Sequence, residues 1–249
     1  MDNISLGEEI GHGAYGHVHV DKSDPSLYIK MSNKQNDINH CRQWSNEYKK
    51  IKTLLSRIED NPSYKKLDYV RIVKPTDFIE SDTVCYMKMT RIFRAKKINK
   101  EEEESIRMIQ SLLGDKNTYY DHKGRGLYMG LKHLKEYIDD DNLLDASFEL
   151  GVMMGLIHHT GKCNAFDIEV FLGREYSTRK NRFYIADFDM TSTIDTYGAK
   201  EIQEMYSSLN DASYFPRPSV NKNLFDTFYN GYLSIVPQSI AERIFRDYS

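Results

Sequence analysis

The sequence has few cysteines and no long apolar run. Cys41, Cys85 and Cys163 are odd in number, far apart and outside any C-x-x-C pair, so neither a disulfide framework nor a zinc ribbon is expected. Such sparse use is typical of a reducing compartment. No apolar stretch approaches the roughly 18 residues that span a bilayer, and the first residues lack a signal-peptide pattern. These absences favour a cytoplasmic protein without membrane contacts.

The chain also lacks an excess of either charge. Its 249 residues include 34 lysines and arginines against 37 aspartates and glutamates, which gives a net charge of −3. The composition therefore gives no clear sign of nucleic-acid binding, which a strong basic field would favour. Neither an internal repeat nor a low-complexity tract is present. The length suits one large domain or two small lobes around a cleft.

Residue patterns divide the chain into a strand-rich first part and a helix-rich second part. In the first part, the residue patterns predict strands at 4–10, 17–20, 27–31, 68–73 and 84–89. Helical spacing of apolar residues predicts a helix at 40–57, and turn residues predict a break at 74–77. In the second part, we predict helices at 131–138, 145–158 and 224–233 and strands at 168–172 and 182–185. These elements predict an α+β fold.

Three glycines lie between the first two predicted strands. Gly11, Gly13 and Gly16 have G-x-G-x-x-G spacing, and Val18 follows them. Because glycine permits close backbone approach, N–H groups in such a turn can surround phosphate oxygens. A dinucleotide-binding fold would have a helix after the glycines and an acidic residue about 20 positions on, but here a strand follows and Met31 is at that position. A tight turn without a ligand is the simplest alternative.

Protein kinases use the same spacing in a different setting. Their glycines lie in a hairpin over ATP, and a lysine follows on the third strand. Lys30 is on the third predicted strand, and Glu47 lies 17 residues later on the predicted helix. We therefore expect Lys30 to contact phosphates and to pair with Glu47. Thr90 and Ile92, just after the last strand of this part, are expected to line the nucleotide site.

Three carboxylates in the second part are candidate Mg²⁺ ligands. Asp187 and Asp189 end the apolar strand that contains Tyr184, and Glu169 lies near the start of the predicted strand at 168–172. Mg²⁺ takes hard oxygen ligands, usually few of them from protein. Asp187 has the position of the aspartate in the kinase D-F-G triplet, with Asp189 in place of its glycine. We expect Asp187 to hold Mg²⁺ with help from Glu169 and Asp189.

The predicted catalytic loop departs from the kinase pattern. Alignment on the strand at 170–172 puts Glu169 at a metal-binding asparagine position and Asn164 at the catalytic aspartate position. An amide cannot accept a proton as a carboxylate does. Asp167 is the nearest carboxylate, so we expect Asp167 or Asn164 to orient the acceptor.

The histidines near these motifs are expected to be structural. His158 and His159 are adjacent on a predicted helix, so their side chains point in different directions and do not chelate one metal together. A core or helix-end role is expected for this pair. His12, His17 and His19 in the glycine hairpin are expected to be surface residues and not ligands.

The order of these motifs resembles that of a eukaryotic-type protein kinase. A closer resemblance covers the second half, where residues 167–173, 184–189 and 210–218 are similar to the D-V-E-F-V-L-G, apolar-D-F-N and N-D-P-Y-Y-P-R-P segments of an uncharacterised kinase-like family known mostly from fungi. That family has no assigned function and usually has Asp where this chain has Asn164. The resemblance implies a two-lobed protein-kinase-like α+β fold. Its N-lobe would cover 1–90, with a five-stranded sheet and one helix, and a short, atypical and mainly helical C-lobe would cover 91–249.

The resemblance also implies a function. We expect a phosphotransferase that uses ATP and Mg²⁺ and acts on protein Ser/Thr. Because Asn164 and Asp189 depart from the catalytic pattern, a second class stays open, a pseudokinase that binds a nucleotide or a protein partner without transfer. Phosphorylation of a small molecule and nucleotidyl transfer also occur on kinase-like folds.

Overall fold

The computed structural model describes residues 5–12, 16–32, 38–80, 85–98, 109–122, 126–210 and 213–248. Gly13 lies outside these ranges, as do residues 4 and 84 at the ends of two predicted strands and residues 211–212 of the third family-like segment. The described chain is a mixed α+β structure with two sheets. None of the helices in these ranges combines the length and the apolar character that a bilayer crossing needs.

The described strands and helices have the following bounds. The strands are β1 (Leu6–His12), β2 (Gly16–Asp21), β3 (Leu27–Ser32), β4 (Val70–Ile72), β5 (Pro75–Glu80), β6 (Cys85–Thr90), β7 (Ile109–Leu112), β8 (Tyr119–His122), β9 (Gly126–Gly130), β10 (Glu169–Arg174) and β11 (Asn181–Ala186). The helices are α1 (Ile38–Ile58), α2 (Pro62–Lys65), α3 (Leu131–Leu134), α4 (Asp140–Gly155), α5 (Ala199–Asn210), α6 (Lys222–Leu233) and α7 (Gln238–Phe245). A π-helical turn, Leu156–Thr160, continues α4.

The first sheet has the strand order β1–β2–β3–β6–β5, and all its neighbours are antiparallel. Lys30 lies opposite Val18 on β2 and Met87 on β6, so these three side chains share one face. Helix α1 packs on this face. His17 and His19 flank Val18 along β2, and their side chains therefore point to the opposite face.

Two assignments in this region differ from the sequence-based prediction. Residues 75–80, where a break was expected at 74–77, form β5 at the edge of the sheet. A proline is tolerated there because Pro75 is the first residue of an edge strand, where its missing N–H breaks no ladder. The strand predicted at 68–73 forms as β4, but it pairs in parallel with β11 and belongs to the second sheet. The first sheet therefore has five strands, but not the five that were predicted.

The second sheet has the order β4–β11–β10–β7–β9–β8. Its central hairpin pairs Glu169 with Ala186 and Arg174 with Asn181 without a break in register. This pairing brings Glu169, at the start of β10, beside the residue that precedes Asp187. The second part of the chain also has three strands, β7, β8 and β9, that were not predicted. Each has only four or five residues, too short for a periodic signal.

Helices α4 and α6 pack against each other through close backbone contact. A Cβ added at Gly151 would lie 1.9 Å from the carbonyl oxygen of Phe228, and one at Gly231 would lie 2.1 Å from that of Phe148. Only glycine permits this approach. One buried apolar cluster extends from Met87 on β6 to the helices, so the two sheets share a continuous core.

The cysteine expectation was wrong. Cys41 on α1 and Cys85 on β6 form a disulfide that closes 44 residues of chain, and both residues are buried beside Trp44. The sequence could not reveal the pair because only the packing of α1 on β6 brings the two thiols together. Cys163 is free and buried. The number of cysteines therefore gives no argument for a reducing compartment.

Reduction of this disulfide should destabilise the protein. A closed loop of this length reduces the conformational entropy of the unfolded chain, which stabilises the folded state by about 4 kcal/mol. Urea unfolding with dithiothreitol should therefore give a free energy of unfolding about 4 kcal/mol lower than unfolding without it. The matched control is the Cys41→Ser/Cys85→Ser double variant, whose unfolding should not respond to the reductant. Equal midpoints for the natural chain in both conditions would contradict the assignment.

Candidate active site

The centre of the candidate site is an ion pair between Lys30 on β3 and Glu47 on α1. Nζ and Oε2 are 3.2 Å apart, and the side chain of Glu47 is only 2% exposed. Burial alone would lower the pKa of Lys30, but the charges of Glu47 and Asp187 raise it above its usual value. The lysine is therefore an ammonium ion near neutral pH. An ammonium has three donors, so its bond to Glu47 leaves donors for an anionic ligand.

Trp44 connects the ion pair to the glycine hairpin. Its ring centroid is 5.5 Å from the Lys30 ammonium. A Cβ added at Gly16 would lie 2.8 Å from the Trp44 ring and 2.2 Å from the carbonyl oxygen of Met31. Glycine is therefore required at position 16 by packing, whatever else the loop does. Gly11 lies opposite Val18 on the neighbouring strand.

Two partly buried carboxylates lie on the other side of the lysine. Burial raises the pKa of Asp187 to about 6, an effect that the charge of Lys30 opposes and that of Glu47 adds to. Burial also raises the pKa of Glu169 to about 7, with a further increase from Asp187. Asp167 and Asp189 contribute to the same negative field. The cluster therefore has more negative charge than Lys30 balances, and ionisation of its members is costly.

The three expected metal ligands are neighbours but do not form a tight cage. Within the described ranges, Asp187, Glu169 and Asp189 do not bring three oxygens within 4.8 Å of one another. The backbone carbonyl of Asp189 accepts a hydrogen bond of 2.6 Å from Lys50. Mg²⁺ usually keeps several waters and binds one or two carboxylates, so the donor chemistry of Asp187 and Glu169 fits this ion without a cage.

Asn164 is fully engaged in holding its loop. It is buried, and its amide nitrogen donates to Glu204 at 3.0 Å. Its amide oxygen accepts from the backbone N–H groups of Ser192 and Phe166. Asn164 therefore ties the loop to α5 and to the segment after Asp189.

Asp167 differs from Asn164 in being exposed at the surface of the same loop. Partial burial and the neighbouring charge of Asp189 raise its pKa above the usual value. Its φ angle is 63°, and Lys162 and Ala165 also have positive φ values, of 55° and 53°. Non-glycine residues rarely adopt this conformation, and such strain concentrates at functional sites. Asp187 shares it, with φ 63°.

The residues expected to line the nucleotide site differ in what they contact. Val18 is half-buried on the Lys30 face of the sheet. Thr90 hydrogen-bonds through its backbone N–H and its hydroxyl to the carbonyl of Lys74. Ile92 is buried against Gly173, where a Cβ would lie 2.2 Å from it. Thr90 and Ile92 thus join the end of β6 to its neighbours.

Sequence patterns missed two residues that contact the acidic cluster. Gln110 on β7 is buried and lowers the pKa of Glu169 against the effect of burial, and it was missed because β7 was not predicted. Lys50 lies three residues after Glu47, so helical spacing was a signal that both face the same side of α1.

His158, by contrast, is a core residue as expected. Its ring nitrogens contact the hydroxyls of Tyr232 at 2.8 Å and Ser208 at 3.3 Å.

Two comparisons with known proteins give no match to this chain. No protein-family model matches the chain. A search of curated proteins likewise finds no significant match. The kinase-like resemblance therefore depends on the sequence motifs alone.

The raised pKa of Asp187 predicts that the ionised carboxylate lowers the free energy of unfolding, by an amount that depends on pH. The folded protein binds the proton more tightly than the unfolded chain, so the cost is absent below about pH 4, grows as the pH rises through about 6 and is complete above it. Asp187→Asn removes the charge with little change of shape. In urea unfolding without divalent cations, this variant should be more stable than the natural chain by up to about 3 kcal/mol at pH 8.

The difference in free energy of unfolding between Asp187→Asn and the natural chain should shrink towards zero at pH 4. Asp195→Asn is the matched control, since Asp195 is exposed, and it should give no pH-dependent difference. An Asp187→Asn variant that is no more stable relative to the natural chain at pH 8 than at pH 4 would refute the account of this carboxylate.

Proposed function

We propose that the chain has a two-lobed protein-kinase-like fold and acts as an ATP- and Mg²⁺-dependent phosphotransferase on protein Ser/Thr. One observation carries the proposal. The Lys30 ammonium, paired with the buried Glu47, interacts with Asp187 and Glu169, whose pKa values are raised mainly by burial and further by neighbouring carboxylates. A lysine with spare donors beside uncompensated carboxylates suits a ligand that combines anionic phosphates with a divalent cation.

Each residue of the pair has a separate role in this proposal. Lys30 binds phosphate oxygens through the donors that Glu47 leaves free. Glu47 fixes the position of the ammonium, because a carboxylate this deeply buried requires its cation. Val18, on the same face as Lys30, supplies apolar contact for the base, and the backbone of the glycine hairpin approaches the phosphates.

The carboxylates provide the cation site. Asp187 and Glu169 offer hard oxygens, and binding of a divalent cation would offset both the burial and the mutual repulsion that raise their pKa values. Mg²⁺ at this position supplies charge neutralisation for the phosphates. Asp189 adds to the negative field, and Lys50 holds its backbone in place.

Asp167 is the proposed base that orients the acceptor hydroxyl. It is exposed, close enough to the other carboxylates to feel their charge, and held in a strained loop. Asn164 has a positioning role, because its three hydrogen bonds hold that loop. Phosphoryl transfer depends mainly on positioning and electrostatics, so this rearranged loop is compatible with activity.

A pseudokinase is the second candidate, and two observations favour it. Asn164, at the expected catalytic position, is occupied by structural bonds, and the expected metal ligands do not converge within 4.8 Å in the described residues. Such a protein would bind a nucleotide through Lys30 and use the complex to hold a protein partner.

Two measurements separate these functions. Thermal unfolding with ATP, with and without Mg²⁺, tests binding. The natural chain should be stabilised by ATP and Mg²⁺, and Lys30→Met should abolish the shift. Incubation with γ-labelled ATP and generic protein acceptors tests transfer. Labelling should fall about 100-fold or more in Asp187→Ala and Asp167→Asn, because a metal ligand and a general base are lost, while Asp195→Asn should label normally.

The outcomes lead to distinct conclusions. A thermal shift without labelling favours the pseudokinase. If ATP gives no thermal shift with or without Mg²⁺, the proposed nucleotide site is wrong. Labelling that survives Asp187→Ala refutes the metal assignment, and incorporation of α-label instead of γ-label identifies nucleotidyl transfer.

A further inference from the structure

The face of the glycine hairpin opposite Lys30 has a cluster of three metal-ligand side chains. One ring nitrogen of His17, one of His19 and one carboxylate oxygen of Glu9 lie within 4.8 Å of one another. In the part of the chain that the structure describes, this is the only group of three His, Cys, Asp or Glu residues so close. None of the three has a role in the function proposed above.

The strand register assembles the cluster. Glu9 on β1 lies directly opposite His19 on β2, and His17 lies two residues before His19 on the same side of its strand. An irregularity between Glu9 and Gly11 shifts the pairing by one residue. The sequence motif showed only histidines at alternate positions, and the cross-strand carboxylate became visible only with the register.

The contact between His17 and Glu9 is not a simple hydrogen bond. Nδ1 of His17 is 3.1 Å from Oε1 of Glu9, within ion-pair distance. That nitrogen is shielded from solvent and has no hydrogen-bond partner of acceptable geometry. The two atoms are therefore close without being aimed at each other, which is the arrangement of neighbouring ligands around a common ion.

One ring nitrogen of His19 contacts the backbone. Its Nδ1 lies 3.4 Å from the carbonyl oxygen of Gly7. A carbonyl only accepts, so Nδ1 carries the proton and Nε2 keeps its lone pair in the neutral ring. A backbone carbonyl that fixes the tautomer in this way is the usual outer contact of a metal-bound histidine.

We propose that Glu9, His17 and His19 form a binding site for a transition-metal dication of the Zn²⁺ class. Two imidazoles and one carboxylate are a known Zn²⁺ ligand set, which leaves a fourth position for water or another ligand. Imidazole nitrogen disfavours Mg²⁺, so this site is distinct in chemistry from the carboxylates around Asp187. A bound ion would link β1 to β2 at the base of the glycine turn. The site does not depend on the proposed phosphotransferase activity.

The test uses Co²⁺ as a spectroscopic substitute for Zn²⁺. The full chain, freed of any histidine tag, is titrated with Co²⁺ while visible absorption is followed, and Zn²⁺ is then added. The natural chain should give a saturable signal that Zn²⁺ abolishes and that excess Mg²⁺ does not. Each of Glu9→Gln, His17→Gln and His19→Gln should weaken Co²⁺ binding about tenfold or more.

The matched control is His133→Gln, which alters a partly exposed histidine on α3 outside the cluster. It should bind Co²⁺ as the natural chain does. Circular dichroism establishes that each variant is folded, and Glu9→Gln preserves the size of the side chain. An unsaturable signal, or full binding in any of the three cluster variants, would overturn the site and leave an ordinary ion pair at this face.

Discussion

Burial of the Glu47 carboxylate imposes the constraint on which the candidate site depends. A carboxylate that is 2% exposed requires a cation, and Lys30 is the one that meets it. Helix α1 must therefore lie against β3 in one position. That position brings Trp44 against Gly16 and Cys41 against Cys85. The glycine hairpin, the disulfide and the lysine are thus parts of one arrangement, and a shift of α1 would disturb all of them.

The carboxylates around Asp187 are arranged at the expense of stability. Asp187 and Glu169 are held where their charges repel, and residues of the 162–167 loop and Asp187 adopt conformations that non-glycine residues avoid. Nothing in the core requires this crowding of carboxylates. Proteins depart from local rules in this way mainly where a function needs it. The strain and the charge excess occur together, which is the basis for assigning chemistry to these carboxylates.

The sequence was informative where short-range pattern and local geometry coincide. Lys30 and Glu47 could be paired because a strand and an adjacent helix bring fixed positions together, and the hairpin before Asp187 was visible as two short apolar runs. Long-range association was not visible. Val70 and Ile72 read as a strand, but only the fold shows that β11 is their partner. The same limit hid the disulfide, Gln110 on the short β7, and the approach of Glu9 to His19. Asn164 was recognised as unusual, yet its structural role depends on Glu204, which lies 40 residues away.

The most direct measurement of the central claim is a crystal structure with a non-hydrolysable ATP analogue and Mn²⁺ as an anomalous scatterer. The account predicts that phosphate oxygens lie within hydrogen-bond distance of Lys30 Nζ while the Lys30–Glu47 contact persists. It also predicts an anomalous peak at the carboxylate of Asp187, and an open approach from Asp167 to the terminal phosphate. A nucleotide bound elsewhere, or Mn²⁺ that does not contact Asp187, would contradict it.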